Sequence, residues 1–309
     1  MNGRSPTVQK GRGAASNPEG RFERLERARE DGDPSEMRAP CTIRVIKDPS
    51  SIISRNDSPD IAFSQSINPY QGCEHACVYC YVRPSHSYHG LSPGLDFETR
   101  IFAKANAAEL QKQELGKPGY RCEVTSLGTN TAPYQAAERE LRITRSILEM
   151  VHEYRHPVGI VTKSSLIERD MDLLESMAKR DLVRVYISIA TLDAEVARTL
   201  ELRATAPGRR IKANRALSAR GISCGVFVAP VVPFVTNERM ERVHEAVASA
   251  GASSAGYVIL RLPYEVKDIF REWLEIHYPL WAWHVMACVN DMRGGVQRQH
   301  VRETHAGRG

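Results

Sequence analysis

Cys73, Cys77 and Cys80 fall within eight residues, in the string Gly72-Cys73-Glu74-His75-Ala76-Cys77-Val78-Tyr79-Cys80. A cubane [4Fe–4S] cluster has four irons and usually takes four thiolates. A loop that supplies three leaves one iron with an open position, able to bind a small chelating molecule and pass it an electron. Structural zinc is the competing reading, with His75, His86 or His89 as a further ligand. Zinc sites more often use paired Cys-x2-Cys knuckles, and the sequence has no second knuckle. A disulfide framework fits least, because seven cysteines is an odd number and nothing marks the chain for an oxidising compartment. Cys41, Cys122, Cys224 and Cys288 are scattered singly and read as small buried thiols.

The 309 residues allow one large domain or two small ones, and 42% hydrophobic residues suffice for a sizeable core. The net charge of +5 permits phosphate contact without demanding it. No apolar stretch approaches the length of a membrane helix; 278–289 is apolar but short and carries His284. The N-terminus has no apolar signal core. The expected location is therefore the cytoplasm, which suits an oxygen-sensitive cluster. Residues 1–40 are rich in Gly, Arg, Glu, Ser and Pro and read as a flexible arm. Within it, 21–30 alternates charge signs and predicts a short solvated helix. Acids nearly cancel bases there, so a basic nucleic-acid arm is the weaker reading. Residues 41–290 carry the core domain, and 291–309 form a polar tail.

Short apolar runs at 63–68, 122–127, 158–162, 183–189, 223–228 and 256–260 read as buried parallel strands. Helical stretches lie between them. Residues 138–154 put Leu141, Ile147, Leu148 and Val151 on one broad face. Residues 167–180 and 209–220 follow, the latter stopped by Gly221. Residues 237–250 start at Asn237 as N-cap and end before Gly251. Six strands alternating with helices indicate an α/β fold with a parallel sheet and right-handed crossovers. Six units are too few for a closed eight-strand barrel.

Parallel α/β folds place function at the C-terminal ends of their strands. The cysteine loop follows the first strand. Gly128-Thr129-Asn130-Thr131 follows the second, and Lys163 the third. Ser188 ends the fourth, Ala229-Pro230-Val231-Val232-Pro233 follows the fifth, and Arg261 the sixth. All of them converge on one rim.

The cysteine motif resembles that of the radical S-adenosylmethionine (SAM) superfamily. Asn56-Asp57-Ser58-Pro59-Asp60, Asn68-Pro69-Tyr70, Ser92-Pro93-Gly94-Leu95-Asp96-Phe97-Glu98, Gly128-Thr129-Asn130-Thr131 and Leu260-Arg261-Leu262-Pro263 look like a subfamily related to spore photoproduct lyase. The likeness spans roughly residues 40–280. It implies a partial, open (β/α)6 barrel, in agreement with the strand count. It also implies a [4Fe–4S] cluster on Cys73, Cys77 and Cys80. SAM would chelate the open iron, and one-electron cleavage would yield a 5′-deoxyadenosyl radical that abstracts a substrate hydrogen. An external low-potential reductant such as flavodoxin or ferredoxin is implied as partner.

By the same resemblance, Tyr79 lies beside the cluster and near the adenine, though core packing is its ordinary alternative. Residues Gly128, Thr129, Asn130 and Thr131 occupy the place that holds the methionine amino group. Gly128 permits close backbone approach, and the three polar residues offer oxygen acceptors. Ser188 would bond a ribose hydroxyl. Arg203, in a segment like the family's Glu-Pro-Arg, would meet the SAM carboxylate with its guanidinium fork or else form a structural ion pair. Lys163 would meet a carboxylate or phosphate, or lie on the surface. Arg261, Tyr134 and Gln135 are candidates for the substrate side, while His86 and His89 read as polar packing. The chain departs from the family pattern at Gln71, Ala76, Ala132 and Leu202, where Arg, Gly, Asp and Pro are usual. Ala132 removes a carboxylate beside the expected SAM site. The substrate stays open between nucleic acid, a protein and a small metabolite, with a non-catalytic Fe–S or zinc protein as a third course. Aromatic content of 7% with no interleaved basic stripe does not favour nucleic acid.

Overall fold

Among the described residues, six strands of one sheet run parallel and pair in the order in which they occur in the chain. The structure is a computed structural model and describes residues 9–22, 41–58 and 63–292. The strands are numbered β1 (Ile43–Lys47), β2 (Ile53–Arg55), β3 (Gln65–Ile67), β4 (Tyr70–Gln71), β5 (Arg100–Lys104), β6 (Thr125–Leu127), β7 (Val158–Thr162), β8 (Val183–Ser188), β9 (Ser223–Val231) and β10 (Ser254–Ile259). The main sheet has the order β10-β9-β8-β7-β6-β3-β2. All its pairings are parallel except β2 against β3. All six expected strands are present, with ends shifted by up to three residues. Thr162 pairs with Ile187, and Ser188 with Phe227, so the strand ends reach one level. β10 and β2 lie at opposite ends of the sheet, which is the open partial barrel.

The strands are short and apolar because both faces are covered. Leu127, Ile160, Val185, Ile187, Val226 and Val228 are buried with Ile147, Leu148, Val151, Leu174, Leu217 and Val247 from the surrounding helices. Each such side chain contributes about 1.5–3 kcal/mol on burial. A second core joins Cys77, Val78 and Tyr79 to Leu260, Leu262 and the helices Val266–His277 and Ala282–Asp291. β10 differs from the other strands: Tyr257, Val258 and Ile259 are exposed, and its far edge is unpaired among the described residues.

The expected helix over 138–154 is two helices, Glu138–Leu141 and Ile143–Glu153. Arg142 breaks it in a left-handed conformation, φ 50°. The Glu138 carboxylate turns back to accept the backbone N–H groups of Thr144 at 2.9 Å and Arg145 at 3.3 Å. A buried anion thereby caps the second helix, and local propensity yields to that cap. Asn237 is not an N-cap. It begins a 3-10 turn, Asn237–Arg239, whose approach is fixed by the Thr236 hydroxyl accepting Val232 N–H at 2.8 Å. A small sheet, β1-β5-β4, was not expected from the sequence. β4 ends at Gln71, so this sheet fixes the entry to the cysteine loop. Residues 9–22, within the stretch assigned to a flexible arm, lie against the core, with Arg12 and Ala14 buried. The expected helix over 21–30 falls almost entirely outside the described residues.

Candidate functional site

The cysteine loop leaves β4 through Gly72, at φ +78°, where a Cβ would stand 2.7 Å from the Arg100 carbonyl oxygen. Only glycine fits that turn. Cys73 N–H then donates to the Phe97 carbonyl at 2.9 Å. Gln135 braces the next residue, its Oε1 accepting Glu74 N–H at 2.8 Å and its Nε2 donating to Gly72 O at 3.3 Å. Glu74 in turn accepts Ala137 N–H at 2.7 Å. Ala76 adopts φ 57°. Val78 N–H donates to Leu200 O at 3.2 Å, and Arg83 Nε to Cys77 O at 2.9 Å.

All three cysteines are free thiols; Cys73 and Cys77 are buried and Cys80 is half-buried. They lie close enough to act on one another electrostatically. Burial pushes the Cys73 thiol up to about 11, with Cys80 adding to it, against N–H groups of His75 and Ala132. Burial raises Cys77 further. Both thiols are therefore protonated near neutral pH in the metal-free chain, and a bound cation must displace their protons. Among the described residues, no three His, Cys, Asp or Glu side chains converge on a point that would hold a single metal ion. His75 is buried and held neutral: burial first, then Arg210 and Lys163, lower it to about 3. His86 faces the Arg100 carbonyl and packs on Phe97, and His89 packs on Phe102.

Tyr79 is buried, and its hydroxyl donates to Glu201. Arg210, 1% exposed, holds the other Glu201 oxygen and donates to Ser188 O at 2.8 Å. Burial alone would raise the Glu201 carboxyl, but Arg210 and Lys163 outweigh it and keep it below its ordinary value. The Lys163 ammonium stands 5.8 Å from the Tyr79 ring centroid and acts on Cys73 and Cys77. The third-strand lysine is thus on the cysteine side of the rim.

Gly128 has φ +87°, and a Cβ there would meet Val161 O and Pro133 Cδ at 2.5 Å. Thr129 O accepts the Tyr81 hydroxyl. Asn130 N–H donates to Asn68 Oδ1 at 3.1 Å, leaving the Asn130 side chain out of that bond. Thr131 is buried, and its hydroxyl is spent on Tyr70 O at 2.5 Å. The Ser188 hydroxyl donates to Ala229 O at 3.2 Å. Arg203 pairs with Glu74 at 3.9 Å, and its N–H donates to His75 O. Tyr134 and Gln135 are both buried. Arg261 is exposed and close enough to act on Tyr81.

Arg210 and Arg83 escaped the sequence reading because arginines in polar segments carry no mark of burial. Phe234 and Trp281 escaped because they are far apart in the chain. After β9 they stack with centroids 5.5 Å apart, and both are exposed. A cavity of about 450 Å³ lies elsewhere, lined by Arg12, Arg198, Leu202, Trp273 and His277 and by none of the three cysteines.

A family model described as the radical SAM superfamily matches residues 67–247. An uncharacterized protein of Mycobacterium tuberculosis strain H37Rv is 36% identical over 221 residues, 71% of this chain and 65% of its own length. The chain thus spans about 65% of that relative. An uncharacterized protein of Methanocaldococcus jannaschii is 26% identical over 214 residues, 69% of this chain and 76% of its own. Among solved structures, spore photoproduct lyase complexed with dinucleoside spore photoproduct is similar at TM-score 0.55 and 16% identity, covering 81% of this chain and 72% of that one. A mutant of that lyase with bound AdoMet and dinucleoside spore photoproduct gives 0.53 and 15%, covering 76% and 66%. The structural likeness is one of fold.

Proposed function

Because this chain belongs to the radical SAM superfamily, we propose that it is an enzyme that binds a [4Fe–4S] cluster through Cys73, Cys77 and Cys80 and cleaves S-adenosylmethionine reductively. The observation that carries this reading is a single braced loop with three free thiols at the C-terminal rim of a parallel sheet. A cubane takes each thiolate on a different iron. When bound and reduced, the cluster would supply the electron that breaks the sulfonium C–S bond and frees a 5′-deoxyadenosyl radical.

The chain's own residues bind and orient. Tyr79 would pack beside the cluster; its hydroxyl donates to Glu201, whose other oxygen Arg210 holds. Lys163 would take the SAM carboxylate, since its ammonium acts on both Cys73 and Cys77 and lies 5.8 Å from the Tyr79 ring centroid. Arg203, turned to Glu74, braces the loop instead. Residues 128–131 bring backbone and the Asn130 side chain to the SAM amino group, while Thr131 fixes the turn. Ser188 supplies a ribose contact if its bond to Ala229 O is exchanged. The electron comes from a separate low-potential protein such as flavodoxin or ferredoxin, in the cytoplasm. Among the described residues no helix is long and apolar enough to cross a membrane.

Anaerobic reconstitution with iron and sulfide, then dithionite and SAM, tests the reading. Formation of 5′-deoxyadenosine is expected, and each of Cys73→Ala, Cys77→Ala and Cys80→Ala should lose the cluster's visible absorbance. A triple variant that still holds four irons per chain would refute the ligand assignment.

A second reading, repair of a DNA lesion, is favoured by the exposed Phe234–Trp281 stack beyond β9. An aromatic face supports a base at about 1–3 kcal/mol. The mild net charge of +5 predicts weak, salt-sensitive binding to undamaged duplex. Titration of labelled DNA across salt concentrations separates the two. Tight binding at high salt, or preference for a thymine dimer, promotes the repair reading.

A further inference from the structure

Residues 9–22 contain no helix or strand, yet they are fastened at intervals to the back of the cysteine loop and its neighbours. The backbone N–H groups of Gly13 and Ala14 each donate to the Glu98 carboxylate at 2.9 Å. Arg12 Nη1 donates to the Glu98 carbonyl at 3.0 Å. Glu98 is fully buried and pairs with Arg83, also fully buried. Arg83 also donates to backbone: Nε to Cys77 O at 2.9 Å, and Nη1 to Pro93 O at 3.0 Å and Gly94 O at 2.9 Å. A continuous path of bonds therefore runs from Gly13 and Ala14 through Glu98 and Arg83 to the carbonyl of a cluster-loop cysteine.

The contact is close as well as polar. A Cβ on Gly13 would stand 2.0 Å from the Ala76 carbonyl oxygen, and one on Gly94 would stand 2.1 Å from Ser16 O. Further along, Ser16 Oγ donates to Glu272 at 2.8 Å, and Asn17 Nδ2 donates to Asp96 at 3.2 Å. The Arg21 guanidinium lies 3.6 Å from the Tyr264 ring centroid. Nothing in residues 9–22 marks this role in the sequence.

We propose that residues 12–14 are a working part of the cluster site, and that Glu98 and Arg83 are positioning residues that transmit their hold to the Cys77 turn. The inference rests on the cluster reading for its functional half only. A buried ion pair is stable when every lone pair and donor is satisfied, and it is costly when one partner is lost. Glu98 depends on the Gly13 and Ala14 amides for that satisfaction. Loosening the strap therefore loosens Arg83, and Arg83 is what fixes the Cys77 carbonyl.

Two variants test this in the full chain. Glu98→Gln keeps the shape but replaces one acceptor with a donor, facing either an N–H or the guanidinium. Gly13→Ala drives the strap off Ala76. The first readout needs no metal: amide hydrogen exchange at Val78 and Cys80, whose N–H groups donate to Leu200 O and Cys77 O. Exchange there should quicken about tenfold or more, the factor expected from losing one charge-assisted bond, with β7 and β8 unchanged. The second readout is the rate at which a chelator strips iron from the reconstituted protein, which should rise by a similar factor. Unchanged exchange at Val78 and Cys80 in both folded variants overturns the proposal. A uniform rise that includes β8 also overturns it, because the effect would then be global. Faster exchange with unaltered iron loss overturns the functional half. If wild-type protein takes up no cluster, the cluster reading fails, and the exchange result still decides whether the strap holds the loop.

Discussion

The Tyr79 hydroxyl donates to a buried Glu201 carboxylate that Arg210 grips from its other side. Two residues from elsewhere in the chain thus fix the aromatic ring that directly precedes Cys80. Tyr79→Phe removes one donor from Glu201 and leaves its shape intact. The expected loss is about 1–3 kcal/mol of stability. Glu201→Ala strands Arg210 without a counter-charge in the interior and should cost about 3–5 kcal/mol. Urea titrations of the metal-free variants measure both, and equal losses would show that Arg210 finds another partner.

Lys163→Met should weaken SAM binding by about tenfold or more, as loss of one charged contact does. The cluster's absorbance should be unaffected, because Lys163 is not a ligand. Lys163→Arg should recover part of the affinity. Equilibrium binding with the reconstituted protein reads this directly, and an unchanged dissociation constant for Lys163→Met would return the carboxylate to Arg203.

Gly128→Ala places a methyl group 2.5 Å from Val161 O, at a φ of +87° that side chains rarely adopt. A strained backbone of this kind costs about 1–3 kcal/mol. Thermal melts should show the loss. SAM affinity should fall with it, since the 128–131 turn would be displaced.

Burial holds His86 down to about 4, against an ordinary 6.5. Between those values the unfolded chain takes up a proton that the folded chain refuses. The contribution to stability is complete above about pH 6.5 and falls as pH drops toward 4, by up to about 1.4 kcal/mol per pH unit. Urea midpoints at pH 7, 6 and 5 should decline, and His86→Gln should flatten the slope. A slope identical to that of the parent would place the acid sensitivity in other groups.

The parallel strands were legible because each is a short apolar run closed by a turn, and burial on both faces leaves few other ways to use such a run. The rim followed from that, and with it the placement of the cysteines and Lys163. The helix break at Arg142 was not legible. It depends on Glu138 meeting Thr144 and Arg145 while Tyr70 and Arg169 hold the same carboxylate, and those partners are distant in sequence. Gln135 was legible as a polar residue near the site, but not as the brace of Glu74, because which way it points is decided by the loop it supports. β1 was not legible, since Ile43, Val45 and Ile46 remain exposed even in the finished strand.

The unclosed arc of the sheet has a practical consequence for handling the protein. Among the described residues β10 ends the sheet with ladder groups unmatched on one side and with Tyr257, Val258 and Ile259 in solvent. Such a border is a template for intermolecular strand pairing, normally blunted by charge, proline or cover. The strand itself, Ser254–Ile259, carries no charge and no proline. Concentrated samples should therefore lose solubility through this border first, and a lysine in place of the outward Val258 is the substitution that should keep them monodisperse.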